Sequence, residues 1–165
     1  MRELCLLKKE HRIEQFDCGT QSLNIFLQKH ALQSQTSNIA RTYILPTEND
    51  IVGYYSLVYG SVSPQEVAER LRRGGGNYHL PLIIVARFAI DQRFQEKGFG
   101  KALLKDALTR CALASEIAGL RAVAVKAKNE KAKSFYHKFG FEPSPFDEFH
   151  LFLLMKDLKK ILEIK

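Results

Sequence analysis

At 165 residues, 45% of them hydrophobic and 26% charged, the chain has the length of one domain and enough apolar material for one continuous core. No stretch approaches the roughly 20 uncharged apolar residues that cross a bilayer, and Met1-Arg2-Glu3-Leu4-Cys5 lacks the apolar run of a secretion signal, so no membrane is expected and the cytoplasm is the expected location. A net charge of +7 suits a polyanionic partner (a phosphorylated cofactor, RNA or an acidic protein) and equally a surface kept basic for solubility, while the three scattered cysteines, Cys5, Cys18 and Cys111, suggest neither a disulfide framework nor a zinc site.

The short apolar run at 4–7 reads as a first strand, leading into Phe16-Asp17-Cys18-Gly19. Leu23, Phe26, Leu27, His30 and Ala31 then recur at helical spacing, which predicts a helix over 20–35 with Asp17, Thr20 and Ser22 as cap donors. Segments 41–45 and 51–62, rich in β-branched and aromatic residues, read as strands joined by the turn Pro46-Thr47-Glu48-Asn49-Asp50. Ser63-Pro64-Gln65-Glu66 has the order of a helix start, predicting a helix to about Arg73 that Gly74-Gly75-Gly76 ends. A long apolar run at 79–90 predicts a strand buried on both faces, and Phe99, Leu103, Ala107 and Cys111 mark a helix over 98–118. A strand at 121–127, a helix at 129–139 stopped by Gly140, and a strand at 149–155 complete the chain. The pattern predicts an α/β (α+β) fold, a mixed central β-sheet flanked by helices, in a single domain over 1–165.

The most informative segment runs from Arg87 to Ala102: a buried strand, a polar turn, then glycines opening a helix. Gly98 and Gly100 let the backbone approach phosphate oxygens, the free N–H groups of the first helical turn point at them, and Lys97 and Lys101 add charge. The alternative is a tight strand-to-helix turn whose glycines only relieve backbone strain. It is not a Walker loop, which needs Gly-Lys-Ser or Gly-Lys-Thr, and it lacks the third glycine of a dinucleotide fingerprint.

Gln95-Glu96-Lys97-Gly98-Phe99-Gly100 resembles the Gln/Arg-x-x-Gly-x-Gly/Ala acetyl-CoA loop of the GNAT N-acetyltransferases. The resemblance implies a cofactor set of Phe88, Ala89 and Ile90 along the pantetheine arm, and Gln95, Glu96, Lys97, Gly98, Phe99, Gly100 and Lys101 around the phosphates. A second stretch, from Asn129 through Ala132, Phe135 and Tyr136 to Gly140-Phe141, resembles the family's Asn-x-x-Ala-x-x-Phe-Tyr-x-x-x-Gly-Phe helix. By spacing alone Tyr136 is one more core aromatic. The resemblance implies instead that it is the general acid and that Asn129 contacts the cofactor, with no metal involved.

A phenol of ordinary pKa about 10 suits that acid role, because a departing thiolate needs a proton. No glutamate stands out as a base. This favours an α-amine, with an ordinary pKa of about 7.7–8.0, over a lysine at about 10.4.

Phe16-Asp17-Cys18-Gly19, Ser22 to Leu27, Val52 to Leu57, Leu71-Arg72-Arg73, Ala86 to Asp91 and Gly140 to Ser144 are together similar to the GNAT toxins of type II toxin–antitoxin modules. Members of that branch acetylate the α-amine of aminoacyl-tRNA, stopping translation. They are held inactive by a ribbon-helix-helix antitoxin and are commonly homodimers. The basic residues Lys29, Arg41, Arg70, Arg72, Arg73 and Arg87 are candidates for the tRNA backbone, and each is equally readable as a solvated or locally paired charge. Tyr78 and His79 can stack on a nucleotide or pack against the following strand, and Cys18 is read as packing. Two other functions fit the same residues: an ordinary GNAT enzyme acting on a protein or small-molecule amine, and a catalytically silent RNA-binding module.

Overall fold

The structure, a computed structural model, describes residues 3–163, so Met1 and Arg2 of the segment read for a leader lie outside it, as do Ile164 and Lys165. Strand β1 (Cys5–Leu6) precedes the helix expected over 20–35, which forms in three pieces: α1 (Gln21–Ile25), a π-helical turn (Phe26–His30) and α2 (Ala31–Thr36). Strands β2 (Arg41–Pro46) and β3 (Ile51–Val62) follow, their turn closed by Thr47 N donating to Asp50 O at 2.8 Å.

The helix expected from Ser63 to Arg73 is broken. A 3-10 turn (Pro64–Glu66) is separated from α3 (Glu69–Arg72) because Val67, fully buried, takes an extended conformation with φ −125° and ψ 163°. Then come β4 (Leu80–Ile90), a 3-10 turn (Gln92–Phe94), α4 (Phe99–Ala114), β5 (Ala122–Lys126), α5 (Glu130–His137), β6 (Glu142–Pro143), β7 (His150–Leu154) and α6 (Met155–Ile161). Neither β6 nor α6 was expected, and Met155, expected to end a strand, starts a helix instead.

The strands pair in the order β1-β2-β3-β4-β5-β7-β6. The chain forms two compact units: one holds the residues up to Val58 with Val85–Ala107, the other Tyr59–Ile84 with the residues from Leu108 onward. In the first, β1, β2 and β3 are antiparallel neighbours. Tyr43 faces Tyr55 with rings stacked 5.3 Å apart, and Thr42 faces Ser56 with buried hydroxyls 3.0 Å apart. The helical stripe of the 20–35 region is why this unit has a core: Phe26, Leu27 and Ala31 pack with Phe16, Ile44, Tyr54 and Ala89. Gln35 stitches the sheet edge, its amide nitrogen donating to Leu7 O (2.8 Å) and its oxygen accepting from Thr42 N (3.0 Å).

In the second unit Arg121 N donates to Pro81 O at 2.8 Å, so β4 and β5 begin side by side and run parallel, whereas β5–β7 and β7–β6 are antiparallel and the sheet is mixed. Its core is Val62, Val67, Leu71, Leu80, Leu82, Ala122, Ala124, Phe152 and Leu154, where each buried aliphatic side chain contributes about 1.5–3 kcal/mol. Among the described residues no helix is long and apolar enough to cross a membrane. The three cysteines are free thiols, and burial pushes Cys111 up to about 12.

Candidate active site

The glycine loop is anchored from behind by an aspartate. Asp91, 1% exposed at the exit of β4, accepts from Asp17 N (3.1 Å), Arg93 N (2.9 Å), Arg93 Nε (2.9 Å) and Arg93 Nη2 (3.0 Å). Arg93 also donates to Asp50 Oδ1 at 3.1 Å. Burial alone would raise the Asp91 pKa, but the Arg93 guanidinium and the two backbone N–H donors outweigh it and hold the carboxyl below its ordinary value. Asp91 N donates to Val52 O and Gln92 N to Asp17 O, both at 2.8 Å, which fixes where the strand releases the chain.

Beyond this clasp, Gln95 has φ −70°, Glu96 φ 61° and Gly98 φ 87°, with Lys97 between them in the ordinary negative range. The left-handed residues Glu96 and Gly98 turn the chain into the mouth of the 16-residue α4, whose first-turn N–H groups lack intrahelical partners and suit an anion. Gly98 is required by its φ and not by crowding, since a Cβ there would meet nothing within 4 Å. Lys97 and Lys101 are exposed, and no acid lies in the first turn of α4. Gln95, expected at the phosphates, donates its amide to Ile90 O (2.8 Å) and Cys18 O (3.1 Å), so it braces the loop. Phe99 packs edge-on against Phe94 at 6.1 Å. Ala89 is buried, with Phe88 and Ile90 half-buried beside it, and β3 presses close there: a Cβ on Gly53 would lie 2.6 Å from Ile90 Cδ1 and 2.8 Å from Ala89 O.

In the second unit, Asn129 caps α5, its side-chain oxygen accepting from Ala132 N at 2.9 Å, which leaves its amide N–H groups for a ligand. Tyr136 is 5% exposed, with its ring edge-on to Phe135 (5.3 Å) and Phe141 (5.6 Å). Burial raises its pKa above the usual phenol range, so it holds its proton throughout the neutral range.

The expected basic residues divide between the units. Lys29 and Arg41 are exposed in the first, Arg41 donating to Asn38 Oδ1 at 3.4 Å, and Arg87 lies 3.5 Å over the Phe26 ring. In the second, Arg72 donates to Val67 O (3.3 Å) and Arg73 faces Glu69 (3.8 Å). Arg70 is already engaged, with Asp157 at 2.6 Å and Glu142 at 3.7 Å. Sequence reasoning missed the Asp91–Arg93 clasp, whose only signal was an acid and a base two residues apart at a strand end.

The chain belongs to the GNAT acetyltransferase family: residues 38–143 match the Acetyltransferase (GNAT) domain. It is 37% identical, over 91% of its own length and 90% of the relative's, to a tRNA-acetylating toxin of Mycobacterium tuberculosis. The structure of AtaT complexed with acetyl-methionyl-tRNAfMet superposes with a TM-score of 0.87 at 29% identity, covering 97% of this chain and 98% of that one. A tyrosine-to-phenylalanine mutant of the AtaT toxin bound to the C-terminus of the antitoxin AtaR and acetyl-CoA superposes with a TM-score of 0.81 at 29% identity, over 98% and 97% of the two chains.

Proposed function

We propose that this chain is a toxin that transfers acetyl from acetyl-CoA to the α-amino group of aminoacyl-tRNA and thereby blocks translation. The observation that carries the reading is the 37% identity, over 91% of the chain, to a tRNA-acetylating toxin. The likeness to AtaT supports it independently through the fold. The family match at 38–143 draws on residues of both units, which supports reading 1–165 as one acetyltransferase domain.

The residues suit the cofactor. The free N–H groups at the mouth of α4, those of Phe99, Gly100 and Lys101, with the charges of Lys97 and Lys101, would hold the diphosphate at the turn that Glu96 and Gly98 make. The strand residues Phe88, Ala89 and Ile90 and the Asn129 amide would line the pantetheine arm, and Gln95 keeps the loop in place. When bound, acetyl-CoA supplies a thioester whose acetyl group passes to an amine while its sulfur leaves as a thiolate. Tyr136 holds the proton that this sulfur takes up. No general base is assigned, because an α-amine with a pKa of about 7.7–8.0 is partly neutral already.

Lys29, Arg41, Arg72, Arg73 and Arg87 serve the tRNA backbone, whereas Arg70 must first leave Asp157. The same reading makes the partner a ribbon-helix-helix antitoxin, the active form a homodimer and the place of work the cytoplasm, where charged tRNA is found. The test is incubation with labelled acetyl-CoA and charged tRNA, with label expected on the aminoacyl end. Label on proteins or small amines alone would return the chain to the ordinary acetyltransferases, and tRNA binding without transfer would make it a silent module.

A further inference from the structure

We propose that a polar pocket beside α3 is a subsite for one unpaired nucleotide, clamped by Arg72 and Arg73 and stacked on Tyr78. The proposal rests on the tRNA reading above for the source of that nucleotide. The pocket, about 410 Å³, is lined by Gln65, Glu69, Arg72, Arg73, Gly76 and Asn77 among others, a volume at the scale of small-ligand sites of about 300–1,000 Å³. Two guanidiniums offer bidentate donors to a phosphate, and the Gln65 and Asn77 amides each offer a donor and an acceptor to a base edge. Among the described residues lining the pocket, Glu69 supplies the opposing charge. It sits 3.8 Å from Arg73 with both side chains about three-quarters exposed, a pairing weak enough for a phosphate to displace.

Tyr78 distinguishes this pocket from a plain basic surface. It is 83% exposed and does not pack on the strand that follows it. A Cβ on Gly76 would lie 3.9 Å from its Cδ2, so the ring edge stands next to a residue of the pocket wall. The rim is fixed from below. Arg121 donates through Nε to Leu71 O at 2.7 Å and through Nη2 to Arg73 O, while Gly75 N donates to Arg72 O at 3.0 Å. Gly74 at φ 85° and Gly76 at φ 62° carry the chain through left-handed turns that other residues rarely adopt. An aromatic face on a fixed rim beside two guanidiniums suits an unstacked base. A paired base in an A-form helix has its faces covered by its neighbours.

The test uses the full chain and two readouts. In acetyl transfer, Tyr78→Ala should raise KM for charged tRNA about tenfold with kcat and the acetyl-CoA KM unchanged, and Tyr78→Phe, which keeps the ring, should restore the wild-type KM. In fluorescence anisotropy, a fluorescein-labelled single-stranded RNA tetranucleotide should bind wild type, lose affinity on Tyr78→Ala, and be displaced by unlabelled single strand but not by a duplex of the same sequence.

Transfer to tRNA with unchanged KM in Tyr78→Ala, or equal competition by duplex and single strand, overturns the subsite while leaving the toxin reading intact. Tyr78-dependent oligonucleotide binding without acetylation of tRNA does the reverse. Displacement of the oligonucleotide by a polyglutamate peptide, equally from wild type and Tyr78→Ala, would make the pocket a surface for an acidic peptide and overturn the proposal.

Discussion

The guanidinium carbon of Arg87 lies 3.5 Å from the centre of the Phe26 ring. Phe26 opens the π-helical turn that interrupts the helix between α1 and α2, and such wide turns recur at functional sites. Its ring also stacks on Tyr54 at 6.3 Å, which holds the platform in place. Burial lowers the Arg87 pKa and Tyr54 opposes the shift, yet a guanidinium remains charged, here stacked on carbon. On the proposed reading, this cation is the one offered to a tRNA phosphate.

Arg87→Lys keeps the charge and loses the planar stack, which is worth about 0.5–2 kcal/mol. We expect a several-fold rise in KM for charged tRNA at constant acetyl-CoA KM. Phe26→Leu should do the same, and the double variant should be no worse than either alone, because both remove one interaction. Strictly additive effects in steady-state kinetics would separate the two residues.

Asp91→Asn removes the buried charge that orders the loop, and urea unfolding should show a loss of about 2–3 kcal/mol. The pH dependence has a definite sign. The folded pKa of Asp91 lies below its unfolded value, so its contribution is complete above the unfolded carboxylate pKa of about 3.9 and is lost as pH falls toward the folded one. Wild type should therefore lose stability more steeply than the variant in that acid window. Because Arg93 would then lose its buried carboxylate partner and keep the half-exposed pairing with Asp50, KM for acetyl-CoA should also rise.

Gly98→Ala meets no atom but forces an alanine to φ 87°, a strain of about 1–2 kcal/mol. The loop relieves it by moving, and calorimetric titration should show weakened acetyl-CoA binding. Gly119→Ala, equally open and without a positive φ, is the control and should bind as wild type.

The elements that could be read from sequence are those whose signal is local. The run that became β4, the stripe of Leu103, Ala107 and Cys111 on α4, and the Asn129 cap of α5 each declare themselves within one segment. What escaped depends on distant partners. The Asp91 clasp needs a backbone N–H contributed by Asp17, and the π-helical turn is stabilised by the seating of Phe26 against Tyr54. Arg70, a plausible RNA contact by composition, is engaged by Asp157 of α6, a helix the sequence did not announce. The loop's glycine pattern was visible, but the positive φ of Glu96 was not.

Tyr136→Phe isolates the hydroxyl, because the ring keeps its edge-on contacts with Phe135 and Phe141 and the fold should survive with a change of about 1 kcal/mol. Loss of a positioned general acid should lower kcat about 10²–10⁴-fold while acetyl-CoA still stabilises the protein in a thermal melt. Burial raises the phenol pKa, so the proton is retained past the ordinary value of about 10. The transfer rate should then rise with pH as the α-amine loses its proton and hold level to at least pH ~10. The linkage runs the same way: a folded pKa above the unfolded one gives stability that is present below about pH 10 and lost as pH climbs beyond it. Wild type should accordingly lose stability faster than the variant in alkaline unfolding. A variant with undiminished kcat would assign the proton transfer to another donor or to water.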